Sequence, residues 1–243
     1  MKAILGFAIC AAMSSPALAA GTFETDLLPT SAGELRITFI GHATLMFKIG
    51  GKVIHSDPVG QFGDYGKLPK ADLILVAHDH SDHFDPKAIA LIGTEKTTLV
   101  LTPLCAAKGG RGTVLKNGEE TTVGGIRIEA VPAYNVVHMR SPGTPFHPKG
   151  DGNGYILTFG DKRVYVAGDT ENIPEMKTLG KIDVAFLPMN LPYTMTPAMA
   201  ADAARMVKPK ILYPYHFGET DTAKLVSLLK DERGIEVRIR RMK

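Results

Sequence analysis

The run Leu73-Ile74-Leu75-Val76-Ala77 is followed without a break by His78-Asp79-His80-Ser81-Asp82-His83. Five consecutive apolar residues predict a strand covered on both faces, which places it inside a sheet with a layer above and a layer below. The polar end is as constraining as the apolar body, because three of the chain's eight histidines fall within these six residues. A solvated loop has no physical reason to gather imidazoles, whereas a ligand-binding strand end does.

Around this strand the pattern changes character along the chain. Leu35–Ile40, Ala43–Ile49 and Lys52–Ser56 read as strands joined by Gly41-His42 and by Gly50-Gly51, the latter with hairpin chemistry. Asp85-Pro86 reads as an N-cap and first helical residue opening a helix through Ile92. Residues 113–132 read as antiparallel strands, and a long loop from Ala133 to Asn153 carries His138 and His147. A hairpin around Gly160-Asp161-Lys162 then leads to Gly168-Asp169-Thr170. After it strands and helices alternate: Ile182–Pro188, Pro197–Val207, Ile211–Tyr215, Asp221–Arg233 and Ile235–Ile239. Meanders first and βαβ units later predict an α/β fold of two mixed sheets with helices outside. No linker divides the chain, so residues 20–243 are expected to form a single domain.

The N-terminus carries its own pattern. Met1-Lys2 is followed by an apolar stretch to Met13 that is too short to span a bilayer, then by Ala17-Leu18-Ala19. This is the layout of a signal peptide, residues 1–19, with cleavage after Ala19 or Ala20. The expected location is the periplasm or the exterior, with no stable membrane anchor. The mature chain would keep one cysteine, Cys105, which excludes an internal disulfide. Net charge is +3 with scattered basic residues, and the one dense run, Arg238 to Lys243, reads as a solvated tail. Nothing marks a nucleic-acid-binding protein.

The remaining polar clusters also come after apolar runs: His138 or His147 after one, Asp169 after another, His216 after a third. Side chains at strand ends can converge on one rim of an α/β sheet. Neutral imidazoles and carboxylates are ligands for zinc, iron or manganese, and three or four complete a site. Six or seven such groups suit two ions. Two ions roughly 3.5–4 Å apart can share a water and lower its pKa from about 15.7 to about 7. Hydroxide so formed attacks carbonyl or phosphoryl centres.

His78-x-His80-x-Asp82-His83 resembles the H-x-H-x-D-H signature of the metallo-β-lactamase superfamily. Gly41-His42-Ala43-Thr44, Ser56-Asp57-Pro58 and Ala167-Gly168-Asp169-Thr170 resemble its UlaG-like metal-dependent hydrolase branch, over about Leu35 to His216. The resemblance implies a four-layer αββα sandwich with a dinuclear site on one edge. It puts His78, His80 and one later histidine on a first metal, and Asp82, His83 and His216 on a second, with Asp169 bridging. His147, ahead of Gly154-Tyr155, is favoured over His138 for the later position, because related hydrolases such as ribonuclease Z place that histidine shortly before a Gly-Tyr. Asp82 and Asp169 are the expected catalytic carboxylates. Asp57 could orient a ligand histidine or simply serve the turn before Pro58. His42 and His55 are expected to be structural or supporting. Asp79 and Asp85 are expected in loop and cap roles, and Tyr134, Asn135 and Tyr193 could line the pocket or merely pack loops.

The function so implied is an exported hydrolase that uses hydroxide between two divalent cations, zinc foremost and manganese or iron next, on an ester, lactone or phosphodiester of a small-molecule substrate. The alternatives are an iron-dependent redox protein on the same fold and a non-catalytic periplasmic metal-binding protein. Oligomeric state is left open.

Overall fold

The computed structural model describes residues 23–242; the expected signal peptide lies outside the described residues. The first sheet opens as an antiparallel meander of β1 (Glu24–Thr30), β2 (Gly33–Gly41), β3 (Thr44–Ile49) and β4 (Lys52–Ser56). It continues in parallel through β5 (Leu73–Leu75), β6 (Thr98–Leu101) and β7 (Thr113–Val114). Helices α1 (Pro86–Ile92) and α2 (Pro103–Ala107) make the crossovers from β5 to β6 and from β6 to β7.

The second half repeats the plan. β8 (Glu120–Val123) and β9 (Ile126–Ala133) lead to a small hairpin of β10 (Met139–Ser141) and β11 (Thr144–Pro145). Then β12 (Gly152–Phe159) pairs antiparallel with both β9 and β13 (Lys162–Val166). β14 (Val184–Pro188), β15 (Ile211–Tyr215) and β16 (Glu236–Val237) come next in parallel, with helices α3 (Pro197–Val207) and α4 (Thr222–Leu229) between them. The result is the anticipated pair of mixed sheets with flanking helices.

Local chemistry explains the elements. Gly50 and Gly51 both take positive φ, +54° and +79°, in the two-residue turn between β3 and β4. The Asp85 carboxylate accepts from Lys87 N and Ala88 N at the start of α1, and Pro86 needs no partner there. Between the sheets, Phe39 and Phe47 of the first meet Phe186 of the second at 6.2 and 6.1 Å, and Phe39 meets Tyr213 at 5.0 Å. Each such buried ring contributes about 1.5–3 kcal/mol through area alone. That interface holds the sheets in the one register that lets loops from both meet at a shared edge.

Two departures from the sequence expectation have simple causes. β1 is an edge strand with one buried side chain in seven, and it contains Pro29, so its pattern carries neither alternation nor an apolar run. The C-terminal run is not a solvated tail. Arg238 N donates to Leu212 O, the Arg240 guanidinium grips both oxygens of Asp26 at 2.7 and 2.8 Å, and Met242 is buried. Burial would raise the Asp26 carboxyl, but Tyr213 and Arg240 outweigh it and hold it below the usual range.

Among the described residues His55, in β4, is buried without an acidic partner; its Nε2 donates to Pro69 O at 3.2 Å, and its Nδ1 has no hydrogen-bond partner among them. Burial pushes its pKa down to about 4. The unfolded chain therefore takes up a proton between about pH 6.5 and 4 that the folded chain refuses. Stability should be full above about pH 6.5 and fall by about 3 kcal/mol toward pH 4 from this group. Chemical denaturation of His55→Phe across that range should show a shallower slope than the wild type; an unchanged slope would refute the assignment.

Candidate metal centre

Every predicted site residue comes after a strand. The loop after β5 curls because His83 N and Phe84 N both donate to His80 O, at 3.0 and 2.8 Å. β13 runs into Gly168, which takes φ of +66° and has room for no Cβ, since one would sit 2.6 Å from Asn153 O. Glycine there delivers Asp169 against the His78–His83 loop. His216 is the residue after β15, and its N donates to His42 O at 2.9 Å, while His42 N donates to Met242 O at 2.9 Å. The docked C-terminal segment thus secures the loop that holds His42.

His42, Asp57 and His216 adopt φ of +53°, +46° and +45°. A left-handed conformation costs a non-glycine residue roughly 1–3 kcal/mol, so the surrounding hydrogen bonds must hold it. Such residues concentrate where side chains have to be aimed.

The structure brings His78, His80, Asp82, His83, His147, Asp169 and His216 together. Donor atoms of His78, His80 and His147 lie within 4.8 Å of one another, as do those of His78, His83 and Asp169, and those of His42, Asp82 and His216. Asp169 stands at the centre. Its Oδ2 lies 3.2 Å from His147 Nε2 and 3.9 Å from His78 Nε2. Its Oδ1 lies 3.4 Å from both His83 Nε2 and His216 Nε2. His216 Nε2 is also 3.5 Å from Asp82 Oδ2.

These separations match a cation's ligand shell. Four ligand atoms at about 2.05 Å from a tetrahedral ion stand about 3.3 Å apart. Among the described residues, His78 Nε2, His83 Nε2, His216 Nε2 and Asp169 Oδ1 are buried with no hydrogen-bond partner. Buried polar atoms are normally satisfied, so a convergent set of orphans marks a missing cationic partner. Imidazole and carboxylate are suitable donors, and the residues fit a metal ion or a pair of them.

Electrostatics agree. Burial alone would lift Asp169, yet His216 and His83 hold its carboxyl well below the ordinary range. Asp82 is depressed likewise by His216 and His42, the latter donating from Nε2 to Asp82 Oδ2 at 3.1 Å. Burial, then His83, pushes His78 well down, and burial also lowers His80, so both rings are neutral and have lone pairs to give. His83 goes the other way. Burial would lower it, but Asp169 and Asp57 push it up to about 9.

Asp57 lies fully buried behind the site. Its Oδ2 accepts from His83 Nδ1 at 2.9 Å and its Oδ1 from Ala77 N at 2.8 Å, which turns His83 Nε2 toward Asp169. Metal uptake at neutral pH should therefore expel about one proton from His83, and affinity should rise with pH up to about 9. In Asp57→Asn, calorimetry in buffers of different ionisation enthalpy should show less proton release and metal affinity weaker by about 10–100-fold. Unchanged proton release would count against His83 as a ligand.

The two later histidines part company. His147 Nδ1 donates to Asn135 Oδ1 at 2.7 Å, and its Nε2 faces Asp169. His138 Nδ1 lies 2.7 Å from Glu171 Oε1, and His138 belongs to no group of metal-type donors among the described residues. Asp79 pairs with Lys108 at 2.7 Å, and Tyr134 turns away to Glu175 at 3.0 Å. Tyr193 lines the open cleft above the site, about 940 Å³ in volume, with Phe62, Lys108, Arg140 and Asn190.

Sequence reasoning passed over Glu171 and Arg140. Glu171 is a buried carboxylate accepting from Val136 N, Val137 N and His138 N at 2.6–2.7 Å and from Asn135 Nδ2 at 3.1 Å. Its position two residues past Asp169 was the only signal in the sequence.

Two mixed sheets in a helix-flanked sandwich, with a rim of histidines and aspartates at their shared edge, define a metallohydrolase-type architecture. A family model described as the Beta-lactamase superfamily domain matches residues 36–216, and the chain belongs to the metallo-β-lactamase superfamily. It is 30% identical over 221 residues to a UPF0173 metal-dependent hydrolase of Pelotomaculum thermopropionicum, covering 84% of this chain and 96% of that one. Among solved structures it is similar to a protein of Parabacteroides distasonis ATCC 8503 that bears the name metal-dependent hydrolase. That match has 51% identity and a TM-score of 0.87, over 91% of this chain and all of the other. The fold is shared with a metallo hydrolase of Ignicoccus hospitalis at 23% identity and a TM-score of 0.70, over 86% and 96% of the two chains.

Proposed function

We propose that this chain, a metal-dependent hydrolase of the superfamily, cleaves an ester, lactone or phosphodiester with two divalent cations and works in the periplasm or outside the cell. The observation carrying the two-ion reading is the orientation of Asp169. Its Oδ2 faces His78 and His147, while its Oδ1 faces His83 and His216. One carboxylate addressing two imidazole groups is arranged to bridge.

His78, His80 and His147 would hold one ion; Asp82, His83 and His216 the other. Zinc suits these donors best, with manganese or iron next. Bound ions supply Lewis acidity and an acidified water. The chain's own residues do the positioning. Asn135 and Asp57 fix the tautomers of His147 and His83, and Asp82, ionised and partly exposed in the cleft, is the carboxylate an arriving substrate meets. The segment Met1–Ala19 supports export.

One grouping favours a second reading. His42, Asp82 and His216 form a two-histidine, one-carboxylate set, the donor pattern of non-haem iron. Elemental analysis and a visible spectrum of the purified protein separate the two, since zinc is colourless and redox-silent.

The test of the hydrolase reading combines metal counting with chromogenic ester, lactone and bis-phosphate substrates. The wild type should hold two equivalents and turn over at least one class. His147→Ala should lose metal and His138→Ala should keep it; loss confined to His138→Ala would reverse the ligand assignment. A fully loaded protein inert across the panel would overturn the hydrolytic reading.

A further inference from the structure

The two loops that give Arg140, Asn190 and Tyr193 to the cleft also carry exposed apolar side chains just outside its lining. Val136, Val137, Met139, Leu191 and Tyr193 make up five of the eleven large apolar side chains exposed among the described residues. Exposed apolar residues scattered singly are ordinary, but five drawn from two short segments beside a binding cleft are not. Val137, at 65% exposure, is the most open of the eleven.

These side chains are held out, not merely left out. The buried Glu171 carboxylate takes the N–H groups of Val136, Val137 and His138, which fixes the backbone of that segment. Asn135 Nδ2 donates to Tyr193 O at 2.9 Å and ties the second loop to the first. Phe146 packs edge-on against Tyr193 at 5.1 Å. A loop anchored this firmly cannot fold its valines back into the core, so they remain open to another molecule.

Charge completes the pattern. Of the two cations lining the cleft, Lys108 is paired with Asp79, while Arg140 lies 5.7 Å over the Phe146 ring and makes no ion pair among the described residues. A guanidinium laid on an aromatic face keeps its edge free for a carboxylate or phosphate.

We propose that the cleft takes an amphiphilic organic anion: its acidic group is received by Arg140, and its alkyl or acyl portion leaves the cleft past Tyr193 to lie along Val136, Val137 and Leu191 on the adjoining loop surface. This deepens the hydrolase reading, since it rests on the same cleft being the substrate site, and it narrows the substrate to a molecule with an apolar arm.

Binding, not turnover, tests it. Calorimetry on the metal-loaded chain with butyl, hexyl and octyl phosphate, below their micellar range, should show Kd falling about twofold per added methylene, the ratio half-burial of each CH₂ gives. The pair Val136→Ser with Val137→Ser should flatten that series while leaving butyl phosphate within twofold. Arg140→Gln should weaken all three phosphates about tenfold, leave octanol unaffected, and reduce the salt dependence of binding; Arg140→Lys should recover part of the loss. A Kd independent of chain length, or variants that leave the series unmoved, would overturn the proposal. So would binding only to anionic lipid vesicles and not to the monomeric phosphates. Failure of every chromogenic substrate would sink the hydrolase reading yet leave these binding results intact, so the two fail separately.

Discussion

Asp169→Ala is expected to lose bound metal and to lower any hydrolytic turnover by a factor on the order of 10³ or more, the scale set by losing metal-assisted chemistry. The carboxylate lies between 3.2 and 3.9 Å from four imidazole nitrogens, so no other group in the site can substitute for it. Its removal also leaves those buried rings without their shared anion, and breaking a buried pair by deleting one partner costs about 3–5 kcal/mol. Asp169→Asn keeps the shape while discarding the charge, so it should fold better than the alanine variant and still bind metal poorly. Elemental analysis of both variants decides the matter. Wild-type metal content in Asp169→Ala would show that the centre does not depend on this residue.

Glu171→Ala is expected to be the most destabilising change away from the ligands. Three backbone N–H groups and the Asn135 amide would lose their acceptor at once. Each buried donor left unsatisfied costs about 1–3 kcal/mol, and partial access of water to the loop brings the total to roughly 3–5 kcal/mol. For a chain of this length that corresponds to a Tm lower by about 10 °C. Burial would raise the Glu171 carboxyl, but these hydrogen bonds outweigh it and hold it below its ordinary value. Its contribution is therefore present above the unfolded carboxyl's pKa and disappears as pH falls through the folded one. Because Asn135 also fixes His147, metal affinity should fall along with Tm. Glu171→Gln retains one acceptor oxygen and should lose about half as much. A Tm within about 2 °C of wild type for Glu171→Ala would show that the loop is held by other contacts.

Much of the architecture was legible because it is written in short-range signals. The Gly50-Gly51 turn, the Asp85-Pro86 helix start and the five-residue apolar strand each depend on residues within a few positions of one another. β1 was not legible, since an edge strand owes its place to the neighbour it pairs with rather than to its own pattern. The tail from Arg238 to Met242 escaped for the same reason: its basic residues look solvated until Asp26, more than two hundred positions away, is placed beneath Arg240.

The candidate site divides in the same way. The order and types of its donors, His78, His80, Asp82 and His83 after one strand, then Asp169 and His216 after others, were determined by the chain itself, because a buried strand must surface at its end and present the next residues there. Which loop histidine turns inward, that Asp57 accepts from His83, that Glu171 holds the 136–138 backbone and that Arg140 lines the cleft were decided only by the tertiary structure. Donor chemistry is a property of a residue, but aim is a property of the two packed sheets. A few degrees in their register would point the same side chains at water.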